Sequence, residues 1–307
     1  VTGAGWVAGS VRARLLLEHR AGSETALLVA RAGSLESAVG LLAATRVVPE
    51  VSAGSLETAQ RAVAAALALR VRHLAAWLPR DAAVGLRAVA SWFELVNLED
   101  RIAYFGGAEL RSPFELGMLS SIWHEAASAQ GVDELRRVLA ASSWGDPGTV
   151  RPEEIHLALR LAWARRVVLR VPAARHWAEG AVAILLAAEL FVAERPVDHE
   201  LVRRAGLGGA WPEAGSIAEL RELLPPAAAW SLAGVDDADR LWRAELAWWR
   251  TVAAEAELLI RGRLDGGDVV LGAVALLAFD AMRLTVALAA AAQRGAPAAR
   301  EVVDALC

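Results

Sequence analysis

Apolar residues return every three or four positions through most of this chain, and nowhere do they alternate convincingly with period two over a strand's length. The pattern predicts long helices over Trp6–His19, Leu56–Trp77, Ala82–Phe105, Glu153–Leu169, Ala173–Val192, Asp236–Ile260 and Val269–Gln293. In the first, Val7, Val11 and Leu15 share one face. In the second, Leu56, Ala59, Val63, Ala66, Leu67, Val71 and Leu74 keep the same spacing, with Arg70 among them. Gly and Pro fall mostly between these segments. The expected fold class is all-α.

The helix starts are punctuated. Ala32-Gly-Ser-Leu-Glu recurs as Ala53-Gly-Ser-Leu-Glu and, more loosely, as Ala214-Gly-Ser-Ile-Ala-Glu. Here the glycine is expected to close the preceding helix in a left-handed conformation. The serine oxygen would cap the next helix, and the glutamate would sit at its positive end.

Three segments also resemble one another. Ser34-Leu-Glu-Ser-Ala-Val-Gly-Leu-Leu-Ala-Ala, Gly131-Val-Asp-Glu-Leu-Arg-Arg-Val-Leu-Ala-Ala and Ser216-Ile-Ala-Glu-Leu-Arg-Glu-Leu-Leu-Pro-Pro each contain an aliphatic pair. The pairs are Leu41-Leu42, Val138-Leu139 and Leu223-Leu224. A long helical region follows each, and near its end stands an aromatic–acid step: Phe93-Glu94, Trp177-Ala-Glu179 and Phe279-Asp280. Turn-rich breaks at 142–152 and 194–216 divide the chain into three pieces of similar size. One helical unit used three times suggests a part of an assembly rather than a single catalytic pocket.

Composition narrows the classes. The chain has 307 residues, 56% of them hydrophobic, with mean hydropathy +0.36. All basic residues are arginine. A net charge of −4 offers no electrostatic footprint for nucleic acid. Cys307 is the one cysteine, so no disulfide can form within these residues. Val1-Thr-Gly-Ala-Gly-Trp6 lacks the charged-then-apolar pattern of a leader, and the cytoplasm is the expected compartment. The most apolar stretches are 180–190 and 269–292. Glu179 and Glu189 bound the first, and Asp280 and Arg283 interrupt the second. Both are expected to be buried helices rather than membrane spans.

Candidate chemistry is sparse. Asp236-Asp237-Ala-Asp239 approaches the DDxxD magnesium motif of helical prenyl-transferring enzymes, but a second acidic motif is missing; a charged helix start is the simpler reading. The six histidines form neither HxxxH nor HExxH, so no metal is expected. Gly106-Gly107, Gly208-Gly209 and Gly266-Gly267 match no phosphate-binding fingerprint, and no GxSxG elbow occurs. No cofactor and no catalytic residue is expected. Twelve tryptophans, with Trp242, Trp248 and Trp249 on one helix, are read chiefly as packing between alanine-rich helices, and secondarily as interface anchors.

Glu94-Leu-Val-Asn-Leu-Glu-Asp-Arg101 resembles the acid-x-x-Asn-Leu helix, followed by a basic residue, of the C-type stalk protein of archaeal/vacuolar-type (A/V-type) rotary ATPases, a family that includes the eukaryotic d-type protein. Glu94, Asn97, Leu98 and Arg101 carry that match. Trp6-Val-Ala-Gly-Ser-Val-Arg-Ala-Arg-Leu-Leu looks like the family's opening segment, and 267–284, with Asp280 and Arg283, looks like its closing helix. The resemblance implies a funnel-like socket of three similar lobes, approximately 20–110, 111–200 and 201–300, with the N-terminal helix packing with the last lobe. It implies a non-catalytic central-stalk component that links the central-shaft subunits to the proteolipid rotor ring and transmits torque for ATP-coupled ion transport. Such a component is peripheral, on the cytoplasmic face of the cell membrane. Glu94, Asn97, Leu98, Arg101, Glu179, Asp280 and Arg283 become structural or interface candidates of the repeated helix. Two rivals stand beside this reading: a helical-repeat scaffold for other proteins, and a prenyl-diphosphate enzyme using Asp236 and Asp237.

Overall fold

In a computed structural model that describes residues 2–48, 51, 54–79, 82–205, 211–262, 266–293 and 297–306, the elements are helical and the described residues contain no strand. Gly208-Gly209 and Cys307 lie outside the described residues. The chain forms two compact units, one made of 1–83 together with 249–307, the other of 84–248.

The discontinuous unit begins with α1 (Thr2–Glu18), α2 (Gly22–Ala30), α3 (Leu35–Ala44) and α4 (Leu56–Ala75). The chain then runs through α5 (Ala82–Phe105) into the continuous unit. That unit holds α6 (Trp123–Ser128), α7 (Val132–Ala140), α8 (Pro152–Arg170), α9 (Arg175–Ala187), α10 (His199–Arg204), α11 (Ile217–Leu223) and α12 (Pro226–Ala229). Helix α13 (Leu241–Arg261) leads back to the first unit, which α14 (Gly267–Ala292) and α15 (Pro297–Leu306) complete.

The serine punctuation acts as expected at its polar end. Ser34, Ser55 and Ser216 have extended backbones, and their hydroxyls accept from the N–H of Ser37, Thr58 and Glu219 at 3.1, 3.1 and 3.2 Å. The glycines before them behave differently: Gly33, Gly54 and Gly215 are not left-handed. At Gly215 the amide has a use of its own, donating to Glu219 Oε2 at 2.7 Å. Gly107 does adopt a positive φ of 94° beyond α5, where its N–H reaches the carbonyl of Tyr104.

Helix α1 begins at Thr2 rather than the predicted Trp6, and two other helices differ in kind from their predicted bounds. The predicted helix from Asp236 starts only at Leu241, because Asp237 is extended and a tight 3-10 turn over Ala238–Arg240 intervenes. The predicted 173–192 helix is a 3-10 turn, then α9, then a π-helical turn over Ala188–Val192. Val7, Val11 and Leu15 do share a face, and that face is exposed. The buried side of α1 uses small residues instead. Ser10 and Ala13 are buried, and Gly9 lies so close to Leu78 that a Cβ there would clash at 2.4 Å.

Each unit has its own core. In the discontinuous unit, Val29, Leu42 and Val63 from α2, α3 and α4 pack with Leu284 and Leu288 of α14. In the continuous unit, Ala126, Leu139 and Ile155 from α6, α7 and α8 pack with Leu95, Leu98 and Ile102 of α5. The plan is the same in both: a long helix followed in space by a short helix, a second short helix and another long one. The second member of every aliphatic pair is buried, at Leu42, Leu139 and Leu224.

Helix α14 is long and apolar enough to cross a membrane by length and composition, with 56% of its most apolar window buried within the structure. Its buried positions surround it along most of its length, from Val269 to Ala291.

Candidate functional site

Polar residues cost several kcal/mol to bury without partners, so the wholly buried Glu94 on α5 is the first to explain. Six donors meet its carboxylate. Oε1 accepts from the backbone N–H of Ser121, Ile122 and Trp123 at 2.7, 2.8 and 3.0 Å, and from the Ser120 hydroxyl at 3.1 Å. Oε2 accepts from the Ser121 hydroxyl and from Trp144 Nε1 at 3.2 Å. The amides are those that open α6, which have no partner inside their own helix. A carboxylate at that place satisfies them and faces the positive end of the helix dipole.

The next turn of α5 extends the seam. Buried Asn97 donates from Nδ2 to the Phe114 carbonyl at 3.0 Å and accepts the Phe114 N–H on Oδ1 at 2.8 Å. The Phe114 ring stands edge-on to Phe93 at 5.6 Å. Asp100 pairs with Arg111 at 2.9 Å, and Arg101 donates to the Ala129 carbonyl at 2.6 Å. The Arg101 guanidinium also lies 4.8 Å from the Phe105 ring centre. Leu98 fills the core between these polar positions. Positions 93, 94, 97, 100 and 101 follow the helical spacing that brings them to one side of α5.

The discontinuous unit contains the counterpart. Asp280 of α14, almost wholly buried, accepts the N–H of Ala21 and of Gly22 at 2.9 and 2.8 Å, where α2 begins. Phe279 precedes it as Phe93 precedes Glu94. Arg283, one turn on, covers the Phe279 ring at 4.0 Å and donates to the Leu306 carbonyl at 2.7 Å.

The correspondence goes further. Thr45 and Ser142, just beyond α3 and α7, each donate to the carbonyl three residues back, Leu42 at 2.6 Å and Leu139 at 2.7 Å. Each then accepts the N–H two residues ahead, Val47 at 3.2 Å and Trp144 at 3.0 Å. A partly buried arginine follows in each unit. Arg70 of α4 donates to the Val47 carbonyl at 2.8 Å, and Arg166 of α8 lies 3.9 Å from the Trp144 ring centre. Burial pulls both guanidinium groups below their ordinary pKa; the nearby acid, Asp280 for Arg70 and Glu94 for Arg166, opposes that pull.

The third segment departs from this pattern. Its Ser216 cap and buried Leu224 are present, yet Glu179 is half-buried and starts no helix. The extra alanine in Trp177-Ala-Glu179 accounts for this. One more helical residue turns the acid about 100° away from the side that Glu94 occupies after Phe93. Gly180 takes over the contact: the Ser231 hydroxyl donates to its carbonyl at 2.9 Å, and a Cβ there would meet the Trp230 ring at 2.9 Å. Trp177 is buried, and Trp248 Nε1 donates to its carbonyl at 2.8 Å, a packing role for a tryptophan of the α13 cluster.

The aspartates that resemble a magnesium motif do not act together. Asp236 pairs with Arg221 at 2.9 Å, and Asp237 lies 3.8 Å from Arg240. Among the described residues no three His, Cys, Asp or Glu side chains gather as a metal site would require. Sequence reading missed Ser120, Ser121, Phe114 and Trp144, which lie 17 to 50 residues from the side chains they serve. The hydroxyl pair Thr45 and Ser142 was legible one residue beyond each compared segment, after Ala43-Ala44 and Ala140-Ala141.

No protein-family model matches this sequence, and no curated protein matches it.

Proposed function

We propose that this chain is a structural part of a larger assembly, with no catalytic site of its own. Within that class, we propose the central-stalk socket of an archaeal/vacuolar-type rotary ATPase, a protein of the C type that sits between the central-shaft subunits and the proteolipid rotor ring. The observation that carries the first step is the buried acid that starts a helix, built once in each unit by Glu94 and Asp280. The residues that the motif resemblance singles out on α5 all turn inward and hold a seam. A torque-transmitting part needs such stiffness, and close packing with satisfied buried polar groups provides it.

The second step rests on the resemblance of 94–101, 6–16 and 267–284 to that family. In this reading the unit occurs three times, as lobes near 20–110, 111–200 and 201–300 arranged as a funnel, with the third copy most diverged. Helix α14 is then a core helix rather than a membrane span. The burial of Asp280 against α2 and the donation of Gln60 to the Thr285 carbonyl at 3.0 Å favour that choice. The protein would sit peripherally on the cytoplasmic face of the membrane and move with the ring.

The test is affinity purification of the tagged chain from detergent-solubilised membranes of its source, with co-purifying proteins identified by mass spectrometry. Recovery of ring and head proteins is the expected result. Their absence from the eluate, when the same membranes contain the intact ATPase, overturns the socket reading.

A further inference from the structure

The continuous unit contains a cleft of about 750 Å³ between α5, α8, α10 and the loop after α7. That volume falls within the range of small-molecule sites. Four arginines line it: Arg87 of α5, and Arg165, Arg166 and Arg170 of α8. Among the described residues Asp146 is the one acid in the lining, and Arg136, outside the cleft, already holds it at 2.8 and 3.1 Å. Of the four arginines, Arg166 is compensated. It packs on Trp144, donates to the Ser143 hydroxyl and feels Glu94 from beneath. Arg87, Arg165 and Arg170 have no carboxylate partner among the described residues. The acid of α10 is engaged elsewhere, since Glu200 binds Arg203 at 2.7 Å.

This concentration of charge is unusual in a chain whose net charge is −4. Surface arginines are normally interspersed with acids; here three guanidinium groups with no carboxylate partner among the described residues share a concave wall with hydroxyls. Ser143, whose hydroxyl accepts from Arg166, adds one small donor to the same lining; the Ser120 and Ser142 hydroxyls there already donate to Glu94 and to the Leu139 carbonyl. Guanidinium groups match phosphate oxygens in geometry, and their paired contacts are strong when partly desolvated. Apolar residues complete the wall, Val84 and Leu169 at exposed positions and Leu161 in the depth. Such a surface suits a phosphate carried on a larger body better than a bare ion.

We propose that this cleft binds a phosphate ester, its phosphate held by Arg87, Arg165 and Arg170 and its less polar body against Val84 and Leu169. The chemistry is common to a soluble phosphorylated metabolite and to a phospholipid headgroup. The proposal does not depend on the rotary-ATPase reading, and the test below involves no other protein of that complex.

Two arms separate the sources. Isothermal titration calorimetry with glycerol 3-phosphate probes the soluble ligand, with inorganic pyrophosphate as the bare-ion comparison. Co-sedimentation with phosphatidylglycerol vesicles, against phosphatidylcholine vesicles, probes the headgroup. Both are repeated with the double variant Arg165→Gln/Arg170→Gln, with Arg87→Gln alone, and with Arg20→Gln/Arg31→Gln, which removes the same charge from exposed positions in the other unit. The expected result is binding in at least one arm, weakened about tenfold or more by the cleft variants and unchanged by the distant pair, the size expected when a charge-assisted contact is lost. Circular dichroism confirms that the variants are folded. Absence of binding in both arms overturns the proposal, and so does equal weakening by the cleft and distant variants.

Discussion

Glu94 has no exposed surface and six donors directed at it, whereas Glu179, its counterpart by sequence, is half-buried. The two glutamates should therefore respond differently to the same change. Glu94→Gln presents an amide group to donors and should cost about 1.5–3 kcal/mol, the range for hydrogen bonds to charged groups. Glu179→Gln should stay within about 0.5 kcal/mol of the parent, as surface changes do. Urea denaturation monitored by circular dichroism measures both; similar midpoints for the two variants would remove Glu94 from its structural role. The sequence pointed to position 94 through its neighbours Asn97, Leu98 and Arg101. It left 94 and 179 looking equivalent, because the difference lies in which side of the helix meets another segment.

Among the elements, α14 shows how one apolar sequence satisfies two descriptions. Its composition passes for a membrane span, and its buried faces serve as the core of a helical unit. Close packing against α13 sets its tolerance. A Cβ at Gly272 would lie 2.6 Å from the Ala256 carbonyl and 2.9 Å from Ile260. Gly40 on α3 is exposed, with nothing within 4 Å of the corresponding position. Gly272→Ala should destabilise by about 1–2 kcal/mol through overpacking. Gly40→Ala should stabilise by about 0.4–1 kcal/mol by restricting the unfolded chain and favouring helix. Opposite shifts in thermal midpoint are the expected outcome; a gain at both positions would show that α13 and α14 do not approach as described. The starts of α3, α4 and α11 were legible because a serine cap acts over three residues. The late start of α13 was not, because Asp236 is held by Arg221, fifteen residues back, and Asp237 is extended.

At the scale of the molecule, the two cores are assembled differently from the chain. That of the continuous unit draws on α5, α6, α7 and α8, which follow one another. That of the discontinuous unit joins Ala26–Val63 to Leu284–Ala291, from opposite ends of the chain. A fragment of residues 84–248 should therefore unfold cooperatively on its own, whereas 1–83 should not, having lost the α14 face that covers α2 and α4. Circular dichroism melts of both fragments check this; a cooperative transition in 1–83 alone would show that α14 is dispensable to that core.

Sequence alone determined the helical character, the serine-capped starts and the common face of Val7, Val11 and Leu15. All of these follow from spacing within a few residues, where helix geometry and capping act. Tertiary structure alone decided that the stripe of Val7, Val11 and Leu15 faces outward, that Ser121 and Trp144 close on Glu94, and that four arginines share one cleft. Periodicity places residues on a common face of a helix, and only the neighbouring helices determine whether that face meets protein or solvent.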